Sequence, residues 1–396
     1  MKQSAPGGWT GASRLAAALA HREPDRVPFD LGGCAVTGIN IRALRRLRAR
    51  LGLPGEPRLW DPITQLAWTG DDVAEALAVD VKCVAPRPPA DPGLYRNEGM
   101  VGDSWRITDE LGIGWRMPVN GGHYYDLYRH PLADAQTSRD VERHPWPDPA
   151  DPARFSGMRE NARVIVEQEK RGFILERMFA GMWETAMWMT GYEKFFCDMV
   201  ENEVLVHALM EKMLEITCAY WERALAAAGN QPCVVSTADD LGTQTGLLVS
   251  MEMYRKLIYP YHRKLFAFIK KASRGNAFIF FHNDGAIMPT IPLLIDAGVD
   301  ILNPYQVNCA GMDPARFKRE FGRDLTIWGG SCSPVTLQLG TEEEVREETA
   351  RRIDDLAPGG GFVFAPIHII QGDVPAENIM AWRETLARHG TYGGGT

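Results

Sequence analysis

Cysteine is scarce in this chain and has no pattern: seven in 396 residues, an odd number, none spaced as CxxC. That fits a reducing cytoplasm rather than a disulfide framework. No apolar run approaches the roughly 18 residues of a membrane-spanning helix. The opening residues, MKQSAPGGWTGASR, hold no apolar stretch of the kind a secretory leader carries. A sustained basic tract is also missing, and the formal net charge is −8, which argues against nucleic acid or an anionic membrane as the main partner. The arginines between Arg42 and Arg48 alternate with Leu44 and Leu47 and read as the solvated face of a helix. There is no Walker motif and no GxSxG. Gly359, Gly360 and Gly361 precede a strand-like run instead of opening a helix, so they are no dinucleotide fingerprint. Nucleotide-driven and serine-nucleophile chemistry therefore find no support.

What is present is rhythm. Eight apolar runs of strand type recur along the chain: Val27–Leu31, Val79–Val84, Phe173–Met178, Cys233–Thr237, Phe278–Phe281, Val299–Leu302, Leu325–Trp328 and Gly361–Ala365. Helical stretches lie between the later ones. The segment from Thr341 has Glu344 at capping-box spacing and ends at glycines, which suit a helix stop. Strands alternating with helices make parallel βαβ units, and eight of them predict an α/β fold closed as a (β/α)8 TIM barrel. The whole chain, 1–396, reads as one barrel domain. Residues 85–150 break the rhythm: they are proline-rich, and SWRITDELGIGWRM reads as a hairpin. This is an expected insertion after strand 2, lying over one barrel mouth. The glycine-rich end, 391–396, reads as a flexible tail.

In such a barrel the side chains that do chemistry stand at the C-terminal ends of the strands. There the sequence places Asp239 and Asp240 after the fourth run, His282 and Asp284 after the fifth, Tyr305 and Gln306 after the sixth, Cys332 after the seventh and His368 after the eighth. Imidazole, carboxylate and thiolate together form the ligand set of a zinc site, so His282, Asp284, Cys332 and His368 are candidate metal ligands. Each also has a plainer reading. A histidine after a strand is often bonded to a backbone carbonyl, an isolated cysteine is usually inert core, and Asp239 or Asp240 suits a helix cap. The stretch Glu176–Gly191 surrounds Glu184 with Met182, Trp183, Met187 and Trp188. It reads as core packing or as an apolar pocket for a planar or methylated ligand, with Glu184 as an acid whose pKa burial would raise.

Three stretches, DDLGTQTGLLVSMEMYRKLIYPYHRKL, GVDILNPYQ and HIIQGDVPAENI, resemble the uroporphyrinogen decarboxylase superfamily, and the likeness runs from about Pro28 to His389. It is closer to the corrinoid-dependent methyltransferases of that superfamily than to its decarboxylases. The decarboxylases carry arginines after the first strand for a many-carboxylate substrate, whereas FDLGGCAVTGIN holds none between Asp30 and Asn40. The thiol-methylating relatives use a His-x-Cys pair and a later Cys. Here His282 matches the His, Asp284 stands for the first Cys, and His368 falls near the second.

The resemblance thus implies a zinc-dependent methyltransferase component with a harder metal site, suited to polarising an ether oxygen such as that of a methoxylated aromatic. Asp239, Asp240 and Glu184 would be its acid–base groups, and Trp183, Trp188, Met187, Tyr305 and Gln306 would contact substrate. No histidine follows an Asp in the D-x-H-x-x-G spacing of corrinoid binders, so the corrinoid would come on a separate partner protein. The resemblance also implies a homodimer. Two alternatives stand beside this reading: a metal-free lyase or decarboxylase using Asp239 or Asp240, and a non-catalytic tetrapyrrole-binding homologue.

Overall fold

A computed structural model describes residues 8–229 and 231–393. Seven parallel strands form a curled sheet in the order Phe362–Val363, Thr326–Trp328, Ile301–Asn303, Ala277–His282, Cys233–Ala238, Gly172–Leu175 and Val81–Val84. The run around Phe29 closes the ring. Phe29 bridges Phe364 in parallel, the Phe364 amide donates to Pro28 and the Asp80 amide donates to Phe29. All eight sequence runs are therefore staves of one TIM-type barrel.

Two cores follow from the two-residue period of the strands. Val81, Ile174, Val234, Phe280, Ile301, Trp328 and Val363 point inward and fill the barrel, and Leu15, Ala18 and Leu19 pack with them from helix Gly11–Leu19. Val84, Leu175, Val235, Ile279, Phe281, Leu302 and Ile327 point outward into the layer beneath the helices. Helix Glu342–Leu356 begins as its sequence predicts: the Thr341 side chain accepts from the Glu344 amide and Glu344 reaches back to the Thr341 amide. Helix Ile41–Arg50 buries Leu44 and Leu47 beneath its arginine face.

The interruption after strand 2 is larger than one hairpin. Arg96–Val101, Ser104–Thr108, Gly114–Pro118 and Asp126–Arg129 form a four-stranded antiparallel sheet, of which the expected hairpin is the middle pair. Trp115 of this sheet packs edge-on against Trp188 of helix Met182–Thr190, with ring centroids 5.3 Å apart. His130 Nδ1 bonds to the Trp188 carbonyl at 2.7 Å, which fastens the insertion to that helix. At the other end of the chain, Thr391 bridges Arg26 and the Tyr392 amide donates to Asp25, so the segment expected to be loose from 391 is anchored at its start; 394–396 lie outside the described residues. No described helix is long and apolar enough to cross a membrane.

Candidate metal and acid site at the barrel mouth

Strand Ala277–His282 explains why an imidazole ends an apolar run. Phe280 faces the barrel interior, so two residues on His282 does too, at the level of the C-terminal rim. There it meets Asp284 and His368. His282 Nε2 lies 3.9 Å from Asp284 Oδ1, His368 Nε2 lies 3.8 Å from Asp284 Oδ2, and one potential ligand atom from each falls within 4.8 Å of the others. The loop bearing His368 is held by the segment that follows the neighbouring first run: Ile39 bridges Ile370 in parallel, and the Asn40 amide donates to the Ile370 carbonyl.

The electrostatics of this trio are unbalanced. Burial, the His368 charge and the Arg177 charge push His282 well below an ordinary imidazole pKa. Burial and Arg177 lower His368 to about 4, although a third of its side chain is still reached by solvent. Burial and neighbouring Asp240 push Asp284 well above the usual carboxylate range. Asp284 Oδ1 is buried and has no hydrogen-bond partner. An unpaired buried carboxylate oxygen is costly unless a cation or donor meets it. Two neutral imidazoles and one such carboxylate suit a divalent cation, whose charge would reverse the upward shift of Asp284 and hold both imidazoles in their neutral, ligating form.

Cys332 is not part of this group. Its thiol faces helix Glu342–Leu356, where it meets Glu348 and Thr349, and burial raises its pKa strongly. The backbone turns through Gly329 and Gly330, both at positive φ, between strand Thr326–Trp328 and Cys332, and two-residue parity does not carry through that turn. The candidate ligand set shrinks from four residues to three.

Asp239 also departs from expectation. Parity sets it on the outward face with Val235, away from the mouth. Its Oδ1 accepts the Glu184 amide at 2.9 Å and its Oδ2 lies 2.8 Å from His262 Nε2, while His262 Nδ1 faces the Tyr254 hydroxyl at 3.3 Å. Asp239 is thus a helix cap supplied from another strand, with both oxygens engaged. Gly181 leaves it room, since a Cβ there would lie 1.9 Å from Asp239 Oδ1.

Asp240 and Glu184 do carry perturbed acidity. Asp240 accepts the Asp284 amide at 2.8 Å, and burial raises it to about 6. Burial, Asp240 and Asp239 raise Glu184 well above the carboxylate range. Such a group holds its proton near neutrality and can act as an acid.

Of the expected substrate contacts, most are structural. Trp183 is fully buried, with its indole N–H on the Asp240 carbonyl at 3.2 Å. Met187 is core. Tyr305 is fully buried against Phe317, and its hydroxyl donates to the Asp313 carbonyl. Gln306 Oε1 accepts the Gly285 amide at 2.6 Å and so braces the Asp284 loop. Gly285, at φ +100°, lets that loop pass Gly242, whose carbonyl carbon would lie 2.5 Å from a Cβ. Trp188 is half-buried and donates to the Tyr192 hydroxyl at 3.0 Å. Burial raises Tyr192, with the Glu184 and Asp240 charges adding to it, which sets this pair beside the acids.

Three residues around the candidate site were not singled out from the sequence. Asn303, Arg177 and His262 touch the site or its supports; Asn303 and His262 lie within the family-like stretches GVDILNPYQ and DDLGTQTGLLVSMEMYRKLIYPYHRKL without having been singled out there. A parity count from Ile301 would have turned Asn303 inward, and Arg177 is two residues past the apolar core of the third run.

The family model described as uroporphyrinogen decarboxylase (URO-D) matches residues 111–389. A uroporphyrinogen decarboxylase from Alkalilimnicola ehrlichii is 25% identical over 381 residues, covering 93% of this chain and 91% of that protein. One from Psychromonas ingrahamii is 25% identical over 286 residues, covering 70% and 74%. Among solved structures, a methyltransferase from Methanosarcina mazei shares the fold with a TM-score of 0.61 at 19% identity, over 96% of this chain and 99% of that one.

Proposed function

Because the chain belongs to the uroporphyrinogen decarboxylase (URO-D) family, we propose that it is a zinc-dependent methyltransferase component that demethylates a methyl ether, with a methoxylated aromatic as its substrate class. The observation that carries this reading is the buried, unpartnered Asp284 Oδ1 between two imidazoles. His282, Asp284 and His368 would hold the zinc, which supplies Lewis acidity toward an ether oxygen. The methyl acceptor is a reduced corrinoid brought by a partner protein. Glu184 keeps a proton on its carboxyl and gives it to the departing oxygen, and Asp240 sets the local field that holds that proton in place. Trp188 and Tyr192 flank the acids with ring surface.

Likeness to a solved methyltransferase supports the barrel, and the donor set supports the chemistry. Two nitrogens and a carboxylate make a harder site than thiolates do and favour oxygen over sulfur as the polarised atom. A second reading, decarboxylation without metal, rests on the names of the relatives and on Asp240, whose raised pKa suits a general acid. Metal content of tag-free protein, followed by methyl loss from methoxylated aromatics with a reduced corrinoid protein, separates the two. About one zinc per chain with methyl transfer is the expected result. Protein that takes up no added zinc yet releases carbon dioxide from a carboxylated substrate would overturn it.

A further inference from the structure

Arg177 is bonded unlike Arg14 and Arg154, which each pair with a carboxylate through two nitrogens. Arg14 grips Asp25 with two N–H donors at 2.6 and 2.7 Å, and Arg154 faces Glu110 in the same two-pronged way. Arg177 follows strand Gly172–Leu175 by two residues, and 16% of its side chain is exposed. A single nitrogen makes its contacts: Nη1 donates to Ser236 Oγ at 2.7 Å and lies 3.4 Å from Glu176 Oε1. Glu176 is already engaged by backbone. Its Oε1 accepts the Arg177 amide at 3.0 Å and its Oε2 the Ala35 amide at 2.6 Å. Nε and Nη2 of Arg177 have no protein partner among the described residues.

Its position is fixed by its anchor. Ser236 has the inward parity of Val234 and pairs with Phe280, one side-chain layer below Ala238 and its partner His282. The guanidinium therefore reaches the barrel interior just beneath the His282–Asp284–His368 group. Its charge acts on His282, His368 and Asp240, and no other arginine or lysine charge acts on these three among the described residues.

A planar fork with free donors matches the two oxygens of a carboxylate. One guanidinium matches one substrate carboxylate, and the Glu176 and Asp240 carboxyl groups near it disfavour a second, so a monocarboxylate fits better than a polycarboxylate. Building on the demethylase reading above, we propose that Arg177 receives a carboxylate of the substrate, which makes the methyl donor a methoxylated aromatic monocarboxylic acid spanning from Arg177 to the metal-type trio. Were Arg177 only a counter-ion for the acidic rim, charged and neutral ligands of one shape would bind alike.

Calorimetric titration of the full chain with zinc present tests this, using 3-methoxybenzoate and its neutral isostere 3-methoxybenzamide. The acid should bind at least about tenfold more tightly, the scale of one charge-assisted pair. Arg177→Gln should abolish that preference, Arg177→Lys should keep part of it, and His282→Ala should retain it because the anion is held apart from the trio. Circular dichroism checks that each variant is folded; if Arg177→Gln is not, the decision falls to Arg177→Lys, which must weaken the acid and leave the amide unchanged. Equal affinities in the unaltered protein, no binding of either probe, or a preference that survives loss of the guanidinium would overturn the proposal. A preference for the acid with no methyl loss from any ether would remove the demethylase reading and leave the role of Arg177 standing. Methyl loss from neutral and acidic ethers at equal rates and affinities would do the reverse.

Discussion

Asn303 Oδ1 lies 2.7 Å from His282 Nδ1, while the Asn303 amide nitrogen donates to the Trp328 carbonyl at 2.7 Å. The second bond fixes which end of the amide faces the ring. An oxygen there accepts, so Nδ1 carries the proton and Nε2 is left with a lone pair aimed at Asp284. Orientation of this kind by a bonded neighbour is what a metal-ligating histidine needs.

Asn303→Ala should therefore weaken zinc binding by roughly 10–100-fold without removing the site. Competition with a chelator measures it. An unchanged affinity would show that His282 needs no such support.

Cys332→Ala should leave zinc stoichiometry unchanged, because the thiol faces Glu348 and Thr349 and not the trio. Mass spectrometry of the native protein decides this. Loss of metal would put the sulfur back among the ligands.

Glu184→Gln should lower the turnover of an unactivated ether by roughly 10²–10⁴-fold, the usual range for removing a general acid, with zinc binding unaltered. An ether with a strongly acidic phenol as leaving group needs less protonation and should lose less. Equal losses on both substrates would assign Glu184 a structural role.

Gly181→Ala should destabilise the fold, since the new methyl would fall 1.9 Å from Asp239 Oδ1 and 2.1 Å from the Ala238 carbonyl oxygen, against both the cap of helix Met182–Thr190 and the strand backbone. Overpacking of this kind costs about 1–3 kcal/mol, and urea denaturation reads it directly. A midpoint equal to that of the parent protein would show that helix Met182–Thr190 and strand Cys233–Ala238 can move apart without cost.

The insertion sheet should show its own pH signature. Asp109 accepts the Trp115 indole N–H and the Leu111 and Ile113 amides, yet burial raises its pKa from 3.8 to about 6. A carboxyl raised on folding binds its proton more tightly in the folded state. Its stabilising contribution is complete below pH 3.8 and is lost as pH climbs through about 6. The stability of the parent protein relative to Asp109→Asn should fall as pH rises across that window. A relative stability of the parent that is flat or rises with pH would contradict the shift.

The barrel itself was legible because its information is local and periodic. Eight apolar runs, the Thr341–Glu344 cap and the alternation of strand with helix each follow from spacing along the chain, and each appears in the structure. Rim position was legible for the same reason, which is why His282, Asp284 and His368 could be singled out. Direction was harder. Asp239 and His282 both end barrel strands, but His282 continues the inward set with Phe280 while Asp239 continues the outward set with Val235.

By itself the sequence determined which residues stand at the rim of a closed parallel barrel, because strand period and helix caps are properties of short segments. Only the tertiary structure decided which of them meet. Whether Cys332 joins a metal group depends on a turn through two glycines, and whether Asp239 faces substrate or a helix depends on His262, 23 residues away. The unused donors of Arg177 became visible once Ser236 and Glu176, from different strands or turns, were placed around it. Contacts made across the ring are fixed by packing among distant segments, and no local pattern encodes them.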